Sequence, residues 1–296
     1  MDTATAPPPL RRLTDRIEAL ASLDGPARRI GRLVRGAIAP GATKDLLSGT
    51  ALGHAVHPVL TDVVIGSWTS ASLLDLVGGR DSDPAAERLI AIGIAAYGPT
   101  ALTGVTDWSD AELGDSGVRR VGLVHAASNA TALSLYAASY VARRRGSHGR
   151  GVALGFVGAG ALAVGGFLGG HLALAQGVGA DQTAFDPGPT EWTPTVTSEQ
   201  VGENASLATV VDETPVLLHR ASGTVLAVHD RCSHRGCSLA SGRVTDGVVE
   251  CPCHGSRFRL SDGEVLRGPA TAPQPSFEVR ESGGRLEVRR RVQPSR

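Results

Sequence analysis

Apolar and polar positions divide the chain into two kinds of segment. Apolar residues run in long blocks near Ala55–Val77, Leu89–Thr106, Val121–Ala142 and Gly151–Gln176, separated by short charged loops. The last block holds 26 residues without one Asp, Glu, Lys or Arg. Each block is 18 to 26 residues long, the length a helix needs to cross a hydrocarbon core of ~30 Å at ~1.5 Å per residue. The first carries Asp62 and Asp75 and the second is short, so these two rest partly on the company of the others. Small residues recur, as in Gly158-Ala159-Gly160-Ala161, Gly165-Gly166 and Gly169-Gly170. Such residues let helices approach closely in lipid, where apolar bulk gives no driving force for association. The pattern therefore predicts an N-terminal all-α, four-helix transmembrane bundle, with a buried soluble bundle as the alternative.

Beyond Asp181 the period changes. Short alternating runs at Val216–Leu218, Val225–His229, Val248–Cys251, Phe258–Leu260, Phe277–Arg280 and Leu286–Arg289 are separated by Ser-Gly, Asp-Gly and Gly-Gly turns. They predict an all-β domain of about 100 residues. Three prolines between Asp186 and Pro194 read as a stiff linker and a domain boundary. The expected organisation is a leader over 1–48, a membrane domain over 49–185, a linker over 186–195 and a β domain over 196–296.

The leader opens with a Pro7–Pro9 run. Leu13, Ile17, Leu20, Ile30, Leu33 and Val34 then stand at helical spacing among seven arginines. One or two amphipathic helices on an anionic membrane surface fit this pattern, and so does a frayed basic tail. No apolar stretch directly follows the arginines, as a cleaved signal peptide would require. Lys44 is the only lysine in the chain.

Averages conceal this division. Twenty-nine basic residues balance 29 acidic ones and the mean hydropathy is +0.01, values of an ordinary soluble protein. The balance excludes nucleic-acid binding by bulk basicity.

All four cysteines fall within 22 residues, as a metal site clusters them and a disulfide framework does not. Cys232-Ser233-His234-Arg235-Gly236-Cys237 is followed, thirteen residues on, by Cys251-Pro252-Cys253-His254-Gly255-Ser256. A Cys-x-His box and a Cys-x-x-His box offer thiolates, which suit ferric iron and sulfide clusters, and imidazoles, which raise a cluster's potential. A structural zinc site is the alternative, although zinc folds usually pair like ligands within a box.

The two boxes resemble the Rieske [2Fe-2S] family, over about residues 196 to 290. The resemblance implies that Cys232 and Cys251 bind one iron and His234 and His254 the other. It also places Cys237 and Cys253 where members from quinol-oxidising complexes carry a disulfide joining the cluster loops; free thiols are the alternative. Ser256 matches the position whose hydroxyl donates to a bridging sulfide in high-potential members, which stabilises the reduced state. Two residues on, those members have a Tyr, and this chain has Phe258. The resemblance thus implies a potential below the quinol-oxidising complexes and above plain ferredoxins. Gly268-Pro269-Ala270 resembles the proline loop that covers the cluster, and reads equally as an ordinary turn. The two histidines would lie at an exposed tip, open to a quinol or a docked redox protein.

Gly53-His54-Ala55-Val56-His57-Pro58, Gly169-Gly170-His171-Leu172 and Gly177-Val178-Gly179 resemble a bacterial family of four-helix membrane domains of unknown function, over about residues 49 to 185. Four spans return the chain to its starting side, so the leader and the β domain are expected on one face. His57, His125 and His171 then lie within ~10 Å of that interface, with Asp62, Asp107 and Trp108 at a similar level. Ionisable groups at membrane depth usually face a bundle interior. A b-type haem site, a quinone or proton site, and interhelical hydrogen bonding all fit the three histidines. Pro58 is expected to open the first span and leave His54 outside it.

The compartment is less clearly marked. Eight basic residues of the leader with Arg119 and Arg120 face six on the other side. Counted only within about 20 residues of the spans, the tally is four against six. The leader's charge favours the cytoplasmic face, whereas a disulfide favours an oxidising compartment.

The function expected is one-electron transfer by a membrane-anchored iron-sulfur protein, between the quinone pool or another membrane donor and a redox partner protein. A quinol or b-haem oxidoreductase with a second redox site in the bundle is one alternative, and a redox sensor is another. Only 42 residues follow His254, too few for the catalytic domain of a Rieske oxygenase with its mononuclear iron site.

Overall fold

A computed structural model of the chain describes residues 8–291. Pro7 of the opening proline run, the rest of the leader before it, and the last five residues to Arg296 lie outside the described residues. The helices, in chain order, are α1 (Pro9–Ala19), α2 (Asp24–Ala37), α3 (Ala42–Ser48), α4 (Val56–Val77), α5 (Asp83–Ala111), α6 (Ser116–Arg144) and α7 (His148–Gly170), the last continued by a π turn over His171–Ala175. Ten strands follow: β1 (Thr193–Thr197), β2 (Ser206–Val211), β3 (Thr214–Ala221), β4 (Thr224–His229), β5 (Arg243–Thr245), β6 (Val248–Glu250), β7 (Arg257–Arg259), β8 (Val265–Arg267), β9 (Ser276–Ser282) and β10 (Arg285–Arg290). The chain forms two compact units. Among the described residues, one comprises 8–38 and Val56–Val178 and the other Ala39–Ala55 and 179–291.

The helical unit has four long helices, α4 to α7, and the two leader helices. Among the described residues three helical stretches are long and apolar enough to cross a membrane: Val56–Val77, Arg80–Ala111 and His148–Ala175. The second block, expected to be short, is therefore long enough to cross, because the helix runs on through Pro99 and past Thr106. The third, α6, has the length but not the apolarity: Ser, Asn and paired arginines at both ends dilute it. Trp68, Ile90, Ala132 and Tyr136 form the buried centre of the unit. A methyl group on Gly93 would stand 2.2 Å from the Trp68 indole, so a Cβ there is impossible without displacing the ring. The small residues thus seat side chains as well as bring backbones together, whereas Gly160, Gly166 and Gly170 face open space.

Charge is buried at several points of this unit. Glu112 is fully buried and takes Arg35 of α2 at 2.8 Å and Arg119 of α6 at 2.9 Å. Arg120 grips Asp24 through two bonds of 2.9 Å, which holds that carboxyl down at about 2. Asp75 and Arg143, both 3% exposed at the side chain, pair through bonds of 2.9 and 2.5 Å. Up to Ile38 the described leader is therefore two helices, of which α2 is tied by ion pairs to residues at the ends of the long helices. The 1–48 stretch is not one piece, since Ala39 onward belongs to the other unit.

The β unit contains a six-stranded antiparallel sheet in the order β1-β10-β9-β4-β3-β2 and a four-stranded one in the order β5-β6-β7-β8. One core joins Val201, Val211, Val216, Leu218, Ala227, Phe277, Leu286 and Val288. A second core gathers Leu217, Val228, Leu239, Val249, Phe258 and Leu260 around Cys232 and Cys251. The stretch expected as a 186–195 linker is part of this unit. Asp186 accepts from Thr214 at 2.5 Å and from His229 at 3.1 Å, and the Pro189 carbonyl accepts from Arg290 at 2.7 Å. The guanidiniums of Arg280 and Arg289 lie over the Trp192 ring, 4.3 and 4.6 Å from its centroid. Residues 179–185, expected with the membrane domain, also belong here.

Candidate metal centre

The two boxes sit on matched loops. The first follows β4 and the second joins β6 to β7. In each, the glycine N–H returns to the carbonyl of the leading cysteine, Gly236 to Cys232 at 2.8 Å and Gly255 to Cys251 at 3.0 Å. Both glycines have φ near +78° (77° and 79°), the left-handed region that a Cβ disfavours. Cys232 N–H donates to the Cys237 carbonyl and Cys251 N–H to that of Ser256, both at 2.8 Å, which closes each loop into a small ring.

These rings bring the expected residues together. Cys232 and Cys251 are buried, 1% and 2% exposed, and their thiols share a hydrogen bond. That bond and burial push the Cys232 thiol up, while the same bond pulls Cys251 down to about 7. The imidazoles of His234 and His254 meet edge to face with centroids 5.1 Å apart. Burial, then the positive charges of His254, Arg235 and Lys44, hold His234 well below the usual histidine range. Two thiols side by side and two imidazoles side by side fit a binuclear iron-sulfur group with sulfur ligands on one iron and nitrogen ligands on the other. They do not pair like ligands within a box as zinc folds do.

The other two cysteines form a disulfide, Cys237–Cys253, with Cα atoms 6.5 Å apart. It joins the two loops, and Cys251 Sγ lies within 4.8 Å of both its sulfurs. Ser256 is fully buried and its hydroxyl accepts from Ala270 N–H at 3.0 Å, which ties the second box to the loop bearing Gly268 and Pro269. Phe258 is fully buried against Cys232 and Cys251.

Residues outside the motif hold these loops, and sequence reasoning missed them. Gln274, fully buried, accepts from Ser233 N–H at 2.8 Å and donates to the carbonyls of His229 and Arg231 at 3.0 and 2.8 Å. Asp230 accepts from Ala240 N–H at 2.6 Å and Ser238 Oγ at 2.7 Å. Arg267 donates twice to the Gly255 carbonyl, at 2.6 and 3.1 Å. An Asp and a Gln in loops give no signal of this role until the loops are folded.

A Rieske [2Fe-2S] domain model matches residues 191–278, and a family described as predicted membrane protein (DUF2231) matches 53–182. The anthranilate 1,2-dioxygenase ferredoxin subunit of Burkholderia cepacia is 33% identical over 98 residues, 33% of this chain and 91% of that protein. The chain belongs to the Rieske [2Fe-2S] family. The 3-phenylpropionate/cinnamic acid dioxygenase ferredoxin subunit of Escherichia coli (strain K12) is 40% identical over 80 residues, covering 26% of this chain and 76% of that one. Among solved structures, the ferredoxin of carbazole 1,9a-dioxygenase from Nocardioides aromaticivorans IC177 matches with 25% identity and a TM-score of 0.32, over 34% of this chain and 98% of that one. The chain is thus a Rieske domain joined to a predicted membrane domain. Rieske membership implies a [2Fe-2S] cluster and electron transfer.

The helical unit's histidines are placed differently. His57 Nδ1 lies 2.9 Å from the Thr100 carbonyl, and a Cβ on Gly104 would meet its ring at 2.5 Å. His125 Nδ1 lies 2.8 Å from the Gly165 carbonyl, and His171 Nε2 lies 2.8 Å from Glu18 of α1. Each imidazole ties one helix to another. Asp62, expected at their level inside the bundle, is exposed on the outer side of α4. His54 lies outside α4 and is exposed, as the position of Pro58 predicted.

Proposed function

We propose that the chain is a membrane-anchored Rieske protein that passes single electrons. Cys232 and Cys251 hold one iron of the cluster and His234 and His254 the other. The observation that carries this reading is the meeting of two buried thiols and two imidazoles on loops clamped by a disulfide. When bound, the cluster supplies a one-electron carrier. The chain's own residues bury the sulfur side, orient the loops through Gln274, Asp230 and Arg267, and keep the His234 imidazole neutral and able to ligate.

α4 to α7 act as the four spans, with α6 shielded by its more apolar neighbours. An even number of crossings puts the leader and the Rieske domain on one face, and the eight basic residues of the leader favour the cytoplasmic one. An impermeant reagent should then fail to label a tag placed after Arg296 in intact cells; labelling reverses the orientation. Ferredoxin subunits as relatives favour a redox protein as partner over the quinone pool.

The second reading makes the bundle itself a redox site for haem b or quinone. The placement of Nδ1 of His57 and His125 on backbone carbonyls favours it, because ligating histidines are commonly oriented so. The same bonds also suffice as interhelical ties, and His171 is engaged by Glu18. An optical spectrum of the purified protein separates the two: haem bands beside the iron-sulfur absorption establish the second reading.

A further inference from the structure

The β unit includes a piece of chain far from it in sequence. Ala39–Ala55 lies between α2 and α4, yet it groups with the Rieske domain. Asp45 of α3 accepts from the Gly268 N–H at 3.0 Å, across 223 residues. A Cβ on Gly268 would stand 2.0 Å from Thr50 Oγ1, so the glycine is needed where the segment crosses the proline loop. Pro40 reaches the second box, within 3.5 Å of a Cβ built on Gly255, next to the ligand position His254. Lys44, the only lysine of the chain, is 3% exposed.

We propose that Ala39–Ala55 is a built-in cap on the histidine end of the cluster loops. This rests on the Rieske reading. Asp45, Thr50 and Pro40 fix where the segment stands against the proline loop and the second box. The expected exposed tip is then a covered one, and a redox partner meets the cluster across the cap.

The single lysine makes the cap directly measurable. In the full chain in detergent, a lysine-specific endoprotease has one cleavage site, and burial of Lys44 protects it. Cutting of the native chain should be at least about tenfold slower than of the denatured chain, and Asp45→Asn should restore most of that factor, each rate referred to its own denatured form. Asp62→Asn, at an exposed position, should change nothing. Native cutting at the denatured rate, or indifference to Asp45→Asn, refutes the cap. A wild-type chain that takes up no iron and sulfide sinks the Rieske reading itself, which the protease experiment distinguishes from failure of the cap.

Discussion

Histidine does different work in the two units. In the helical unit His57, His125 and His171 each reach a neighbouring helix and bond to a carbonyl or a carboxylate. In the β unit His234 and His254 face each other, with the two buried thiols on the same pair of loops. The helical unit buries its charges as opposite pairs, Glu112 with Arg35 and Arg119, Asp75 with Arg143. Paired polar groups hold a structure together, whereas a concentration of thiol and imidazole donors marks a place prepared for a ligand.

The most decisive way to break this contrast is to remove a donor. Cys251→Ser should abolish cluster uptake, with iron and acid-labile sulfide lost from the purified chain, while His57→Ala should leave both in place. Loss of both on His57→Ala would mean that the helical histidines take part in cluster assembly.

Next in size is the buried pair of the helical unit. Asp75→Asn leaves Arg143 buried without its counter-charge and should cost about 3–5 kcal/mol. Thermal unfolding in detergent should show it, with the cluster's absorption unaffected below the transition. Loss of the cross-link comes third. Replacing Cys237 and Cys253 together by Ser opens a loop with a separation of 16 residues, and the β unit should lose about 3 kcal/mol, read as a lower denaturant midpoint for cluster bleaching.

Fourth is the potential. Phe258→Tyr brings a hydroxyl into the core that holds Cys232 and Cys251 and should raise the midpoint by about 59 mV, a tenfold change for one electron. A midpoint that does not rise refutes the account of the missing donor. The smallest effect is that of pH. Burial holds His229 below the usual histidine range, against the pull of Asp186, and holds His219 down in the same way. The unfolded chain then binds more protons than the folded one below about 6.5. Their contribution is complete above that value and is lost as pH falls through it toward the lower folded pKa. Asp186, where bonds from Thr214 and His229 outweigh burial, is also held low, and its contribution is lost at still lower pH. Hydrogen-exchange protection of β3 and β4, corrected for intrinsic rates, should fall on acidification from about pH 7 to about pH 5.

These contrasts bear on what a sequence discloses. The cluster boxes were legible because the chemistry is local: a cysteine and a histidine two or three residues apart are already close. The six named β runs fall in β3, β4, β6, β7, β9 and β10, since each has enough alternation to show a period of two. β6 and β7 are as short as β5 and β8, three residues each, but their apolar pattern runs on past the strand ends into Cys251 and Leu260, whereas that of β5 and β8 stops at Thr245 and Arg267. β1 is hidden in Pro- and Thr-rich sequence that reads as a linker, because nothing local reveals that Trp192 will pack against arginines of β9 and β10. Gln274 and Asp45 are the extreme cases. Each acts on backbone groups distant in the chain, and an isolated Gln or Asp carries no mark of its partner.

The central claim is that Cys232, His234, Cys251 and His254 hold a [2Fe-2S] cluster with mixed ligands, and one measurement tests it most directly. Electron paramagnetic resonance of the reduced, purified full chain, with iron and sulfide analysis of the same sample, should show equal amounts of iron and acid-labile sulfide. It should also show nitrogen couplings from two imidazoles, which disappear when His234 and His254 are replaced. Zinc in place of iron, iron without sulfide, or a cluster signal without nitrogen coupling would contradict the account.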